Sequence, residues 1–161
     1  MDAVTIRVPA SAANLGPGYD AFGLALGLYN TFSAQPAEEW HVDVRGEGAG
    51  RLATDGHNRV AQAMKRAFRE IGPDAPRAAR ITCDNRIPTA RGLGSSAAAI
   101  VGGLVLADAM CGSPLGRDRL LELAVELEGH PDNVAAALLG GFTIGWSDED
   151  GPAATSLQPA A

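Results

Sequence analysis

Positive charge, aromatic rings and cysteines are all scarce in this sequence, and each scarcity closes off a class of protein. Thirteen Lys and Arg face nineteen Asp and Glu, giving a formal net charge of −6 and a pI of about 4.9. A domain that grips nucleic acid or an anionic membrane surface needs a basic patch, and this balance does not supply one. The expected partners are small molecules or proteins. The two cysteines, Cys83 and Cys111, fall in a predicted strand and at a predicted helix end without metal-ligand spacing, and read as inert thiols in a reducing compartment. The longest apolar run, Ala97 to Ala107, is too short to span a bilayer and leads into Asp108. The N-terminal M-D-A-V-T-I-R-V-P lacks the charged and apolar regions of a secretory signal, so a cytoplasmic location is expected. Aromatic residues are 5% of the chain while hydrophobic residues are 46%, so the core must be closed by small aliphatic side chains. With 161 residues, a single domain is the default.

What the sequence does have is glycine, and the most informative cluster lies in Ile87 to Ile100, I-P-T-A-R-G-L-G-S-S-A-A-A-I. Gly92 and Gly94 permit backbone angles that bring N–H groups close to an anion. Ser95 and Ser96 then open a helix that is Ala-, Val- and Leu-rich to Met110. Their hydroxyls can cap free donors or lean toward a ligand, and the positive end of the helix dipole favours negative charge. Arg91 is the nearest cation along the chain. No Gly-Lys-Ser/Thr follows the glycines, which excludes the Walker loop, and the third glycine of the dinucleotide fingerprint is absent.

Upstream, Val4, Ile6 and Val8 alternate with polar residues, predicting a strand that Pro9 ends. Ala10 to Gly23, A-S-A-A-N-L-G-P-G-Y-D-A-F-G, reads as a loop whose Asn14 and Asp20 either bond their own backbone or serve a ligand. Strands are predicted at Leu24 to Ala34, Trp40 to Arg45 and Arg80 to Ile87, with a surface connection between Gly46 and Gly56. His57 to Ile71 is an amphipathic helix with His57 at its start, stopped by Gly72 and Pro73. After a turn at Cys111 to Gly116, Asp118 to Leu127 is a second leucine-rich helix. Glu126 to Gly141, E-L-E-G-H-P-D-N-V-A-A-A-L-L-G-G, places carboxylates, His130, Asp132 and Asn133 at the head of a short apolar helix, followed by a strand at Phe142 to Trp146. Capping accounts for one of those polar residues, not all of them. Ser147 to Ala161 shows no periodicity and is expected to be an irregular tail.

P-T-A-R-G-L-G-S-S-A-A resembles the central nucleotide-binding motif of the GHMP kinases. P-A-S-A-A-N-L-G-P-G-Y-D-A-F-G and E-G-H-P-D-N resemble the corresponding loops of the homoserine kinase branch. The resemblance runs from about Val4 to Trp146. It implies an α+β fold, a sheet covered by helices with a left-handed β-α-β unit around the cradle. Residues 1–146 would form the N-terminal, ATP-binding domain, with the C-terminal domain of the family absent.

The same resemblance implies a set of roles. Pro88, Thr89, Ala90, Arg91, Gly92, Leu93, Gly94, Ser95, Ser96, Ala97 and Ala98 would hold the phosphates of ATP. Ser96, or its neighbour Ser95, would offer an oxygen to Mg²⁺, which prefers hard oxygen ligands. Glu128 would complete the metal site, with Glu126 as the alternative. Asn14, Asp20, His130 and Asp132 would meet L-homoserine, a carboxylate being a natural partner for an α-ammonium group. Asp132 is expected to position substrate first and to act as a base second. Ser96, Glu128 and Asp132 are thus the candidate catalytic residues. No nucleic-acid or membrane partner is expected, and a homodimer is left open. Other readings are a non-catalytic nucleotide- or ligand-binding half-domain, or another small-molecule kinase of the family.

Overall fold

A computed structural model describes residues 3–157. It is built on one long strand. β2 (Phe22–Ala37) has β1 (Val4–Ala13) antiparallel along one edge, while its other edge takes β4 (Ala78–Asn85) at one end and β5 (Phe142–Asp148) at the other. β3 (His41–Gly46) lies parallel to β4, and β6 (Gly151–Leu157) closes the far side against β5. The parallel pair β3 and β4 is joined through α1 (Arg59–Ile71), making the β-α-β unit that delivers the chain to the glycine-rich loop.

Four helices cover one face of this sheet: α1, α2 (Ser95–Met110), α3 (Gly116–Glu128) and α4 (Asp132–Leu139). α2 is apolar all round, as a central helix must be, and is buried along most of its length. Two glycines let its neighbours in: a Cβ on Gly102 would come within 2.5 Å of the Phe32 ring, and one on Gly103 within 2.3 Å of the Val60 carbonyl. α2 is therefore wedged directly between the sheet and α1. Its own Leu104 and Leu106 and the neighbouring Phe32, Met64, Ile81 and Leu123 are fully buried, each contributing about 1.5–3 kcal/mol by burial.

The structure corrects three expectations and removes one of two alternatives in a fourth case. The tail is not irregular, because Gly151 to Leu157 pairs with β5 in register from Asp148↔Gly151 to Phe142↔Leu157; the rest of that tail, residues 158–161, lies outside the described residues. Pro9 does not end β1. The strand continues through a bulge between Pro9 and Ser11, and Ala10 and Ser11 are both fully buried, so the alternation changes phase there. His57 precedes its helix instead of starting it: Asn58 is the cap, its Oδ1 accepting from the Val60 N–H at 3.0 Å. Ser95 and Ser96 supply no cap to α2, whose cap residue is Gly94.

The phase change in β1 and β2 turns Phe22 and Leu24 to the uncovered side of the sheet. Their register partners place Phe142, Ile144, Trp146 and Leu157 beside them. Phe22 and Phe142 meet edge to face at 5.3 Å, while Trp146 and Leu157 are 44% and 51% exposed. This face has no covering layer among the described residues.

Candidate active site

The loop that feeds α2 carries three left-handed residues, Ala90 (φ 57), Gly92 (φ 71) and Gly94 (φ 66). Alanine at such an angle is uncommon and costs free energy, so the loop's shape is imposed by its surroundings. Gly94 is required twice over, since besides its φ a Cβ there would lie 2.0 Å from Ser11 Oγ. With no side-chain cap on α2, the first N–H groups of the helix have no side-chain acceptor, at the positive end of its dipole.

Around that end the chain gathers three sets of polar groups. In the first, Ser96 Oγ donates to Glu128 Oε2 at 2.8 Å, at the C-terminal end of α3. Arg59 Nη2, from the first residue of α1, lies 3.2 Å from the same Ser96 Oγ and 3.4 Å from the same Glu128 oxygen. In the second, Ser11 Oγ donates to Asn133 Oδ1 at 2.8 Å, tying the bulged strand to the head of α4 beneath Gly94. In the third, His130 Nδ1 lies 2.6 Å from Asp132 Oδ1, which also accepts from the Asn133 N–H at 2.7 Å. Asp132 is buried, and the hydrogen bond that its carboxylate accepts from the imidazole is the main cause that raises the His130 pKa above its usual value. The charges of Asp132, Glu128 and Asp20 add to that shift.

A cavity of about 450 Å³ opens beside the same helix end. Thr89, Ala90, Ser95 and Ser96 form one wall, and Arg59, Asn58 and Asn85 stand among the rest. Asn85 Nδ2 donates to the Glu47 carbonyl at 3.1 Å, which fixes the amide so that Oδ1 is a buried acceptor with no partner among the described residues. Such an atom costs free energy until a donor reaches it.

The expected site residues thus divide. Ser96 and Glu128 are in contact, and Glu128 is separated from Glu126, which is engaged by Arg66 through two bonds of 2.9 Å on the α1–α3 seam. His130 and Asp132 are in contact. Pro88, Thr89, Ala90, Arg91, Gly92, Leu93 and Gly94 form the loop, and Ala97 and Ala98 are buried in the first turns of α2. Arg91 is exposed, without an ion pair among the described residues; the cation that meets Ser96 is Arg59. Asn14 (φ 58) follows β1, and Asp20 lies in a short 3₁₀ turn at Gly16–Ala21. Both are exposed, and no hydrogen bond joins either to the other candidates among the described residues; Asp20 is linked to them through its charge on His130. They do not line the cavity. The helix end therefore stands between a cavity on the Ser96 side and the Asp132 group on the Gly94 side.

Sequence reasoning missed Arg59, Ser11 and Asn133. Ser11 and Asn133 lie inside quoted motifs, so their strings were visible while their contact across the fold was not. Arg59 had no local signal.

The sequence model of the GHMP kinases N terminal domain matches residues 58–141, and the chain belongs to that family. Among curated relatives, the homoserine kinase of Carboxydothermus hydrogenoformans is 53% identical over 148 residues, covering 91% of this chain and 48% of that protein. The homoserine kinase of Streptomyces avermitilis is 49% identical, covering 98% of this chain and 53% of its own length. The chain therefore spans about half the length of these relatives. The crystal structure of homoserine kinase from Cytophaga hutchinsonii superposes with a TM-score of 0.81 at 28% identity, over 98% of this chain and 52% of that one. Mevalonate kinase from Methanococcus jannaschii shares the fold at a TM-score of 0.70 and 16% identity, over 88% and 53% of the two chains.

Proposed function

We propose that this chain is the nucleotide-binding part of a kinase that moves the γ-phosphoryl group of ATP onto the hydroxyl of L-homoserine, giving O-phospho-L-homoserine and ADP, in the cytoplasm. The observation that carries the reading is the Ser96–Glu128 contact at the uncapped start of α2, beside a cavity of about 450 Å³. Phosphoryl transfer asks a protein for alignment and charge neutralisation more than for covalent chemistry. The N–H groups of the loop and of α2 serve the phosphates. The cavity, lined by Thr89, Ala90, Ser95 and Ser96 on the side of that helix end, is the space we assign to the rest of the nucleotide.

The donor set also fits Mg²⁺. Ser96 Oγ and Glu128 Oε2 are hard oxygens, and among the described residues no group of three acidic, His or Cys side chains forms a cage of its own. That matches an ion held by one or two protein oxygens together with nucleotide phosphates. When bound, Mg²⁺ would neutralise the phosphate charge. Asp132 and Asp20 suit the α-ammonium of an amino acid, and His130, whose pKa Asp132 raises, suits its carboxylate. As the substrate oxygen bonds to the γ-phosphorus and the bond to ADP breaks, the hydroxyl proton leaves; Asp132, after its positioning role, is the candidate to take it. The relatives' shared name supports homoserine over other alcohols.

The test is calorimetric titration with Mg-ATP beside a coupled ADP-release assay with L-homoserine. Mg-ATP should bind weakly, and Ser96→Ala and Glu128→Gln should remove the heat. Little turnover is expected from this chain alone, since it spans half of each relative. Failure to bind Mg-ATP would overturn the reading.

A further inference from the structure

Arg59 belongs to no motif, yet its guanidinium rests against both oxygens assigned to the metal. Nη2 is 3.2 Å from Ser96 Oγ and 3.4 Å from Glu128 Oε2, and those two oxygens are themselves 2.8 Å apart. The three groups form a triangle with one cation in it. Glu128 is largely enclosed, its side chain only 12% exposed, whereas Arg59, at the first residue of α1, is 51% exposed and its guanidinium has no partner among the described residues beyond these two. An enclosed carboxylate needs a counter-charge, and an exposed arginine on a flexible stem can leave at small cost.

From this geometry, and resting on the reading above, we infer that Arg59 is a displaceable counter-ion. It holds Ser96 and Glu128 together and neutral until a divalent ion takes its place, and the ion must compete with it. Arg59 is then a positioning residue with a definite sign: it weakens the site for free metal while keeping the two ligands in register. Two features separate this from a plain surface ion pair. Arg59 contacts the serine as well as the carboxylate, and it lines the cavity beside the helix end, where it would meet whatever enters. By contrast Arg66, about two turns further along α1, pairs with Glu126 and Glu70 and lines no such cavity. It supplies an internal control.

The probe is Mn²⁺, an oxygen-seeking divalent ion whose binding is read directly by electron paramagnetic resonance, without nucleotide and without turnover. Arg59→Gln should bind Mn²⁺ about two- to fivefold more tightly than the unaltered chain, the range expected for losing one partly exposed charged competitor. Arg59→Lys, which keeps the charge, should stay near the starting affinity, and Arg66→Gln should leave it unchanged. Thermal unfolding of Arg59→Gln should remain close to that of the parent, so a folding defect would be visible separately. Equal or weaker Mn²⁺ binding by folded Arg59→Gln would overturn the inference while leaving the kinase reading intact. If neither Ser96→Ala nor Glu128→Gln altered Mn²⁺ binding, the metal site itself would be wrong, and this inference with it.

Discussion

Glu126 and Glu128 stand two residues apart and share a side-chain chemistry, but they do different work. Glu126 is 54% exposed and locked to Arg66, which holds its carboxyl below the usual range; Glu128 turns inward to Ser96. In an active enzyme containing this chain, Glu128→Gln and Ser96→Ala should each lower kcat by about 10²–10³-fold, as losing a group aimed at developing charge does. Glu126→Gln should leave kcat nearly intact and cost at most about 1 kcal/mol of stability, measured by urea unfolding. His130 adds a pH dependence. Its pKa is raised in the fold by Asp132, so the His130–Asp132 contribution is complete below about 6.5 and is lost as pH rises through the folded value. The KM for L-homoserine should therefore rise across that window, and His130→Gln should flatten the profile while raising KM throughout. Ser96, Glu128, His130 and Asp132 were legible because they sit in unbroken strings. Arg59 was not: its partner Ser96 lies 37 residues away, and only the crossing of α1 over α2 brings them together.

That crossing depends on α2, whose reading from sequence succeeded for a simple reason. A run of small apolar residues after Gly94 leaves no polar face, and a helix with none must be central. The part played by its two glycines, Gly102 and Gly103, was not read from the sequence. Gly103→Ala would press a methyl group into the Val60 carbonyl, which is backbone and cannot swing aside, so a loss of about 1–3 kcal/mol is expected in urea unfolding, despite alanine's better helix propensity. A gain in stability would show that α1 can slide. β1 and β6 were the elements misjudged. A bulge keeps β1 going past Pro9 and carries Ser11 to the helical side, an effect that no alternation rule anticipates. Gly-Pro-Ala-Ala-Thr-Ser-Leu has little strand propensity of its own, and β6 exists through its ladder with β5, with Pro152 tolerated on an edge strand.

Across the molecule the two sides of the sheet are unequal. One is sealed by four helices; the other presents Phe22, Phe142, Ile144, Trp146 and Leu157 with no layer over them among the described residues. A contiguous apolar face of this kind is uncommon on a self-sufficient monomer. The chain should bind a hydrophobic dye such as anilinonaphthalene sulfonate in its native state. Trp146→Asp should reduce that fluorescence markedly while leaving Mn²⁺ binding alone, and undiminished fluorescence would place the dye elsewhere. The alternation within β5 hinted at this face, but its extent depends on the phase change in β2, which set Phe22 and Leu24 beside it.

The bond from Ser11 to Asn133 joins residues 122 positions apart, and Gly94 is seated on both ends of it. A ribosome must therefore release nearly the whole of this domain before the glycine-rich loop gains its floor, although α1, β4 and α2 are already in hand by then. Loops closed over such separations form late, because their entropy is spent before the contact repays it. The growing chain should pass through a stage in which α2 is packed but its leading turn is loose, and that turn should be the last segment to resist a protease during synthesis.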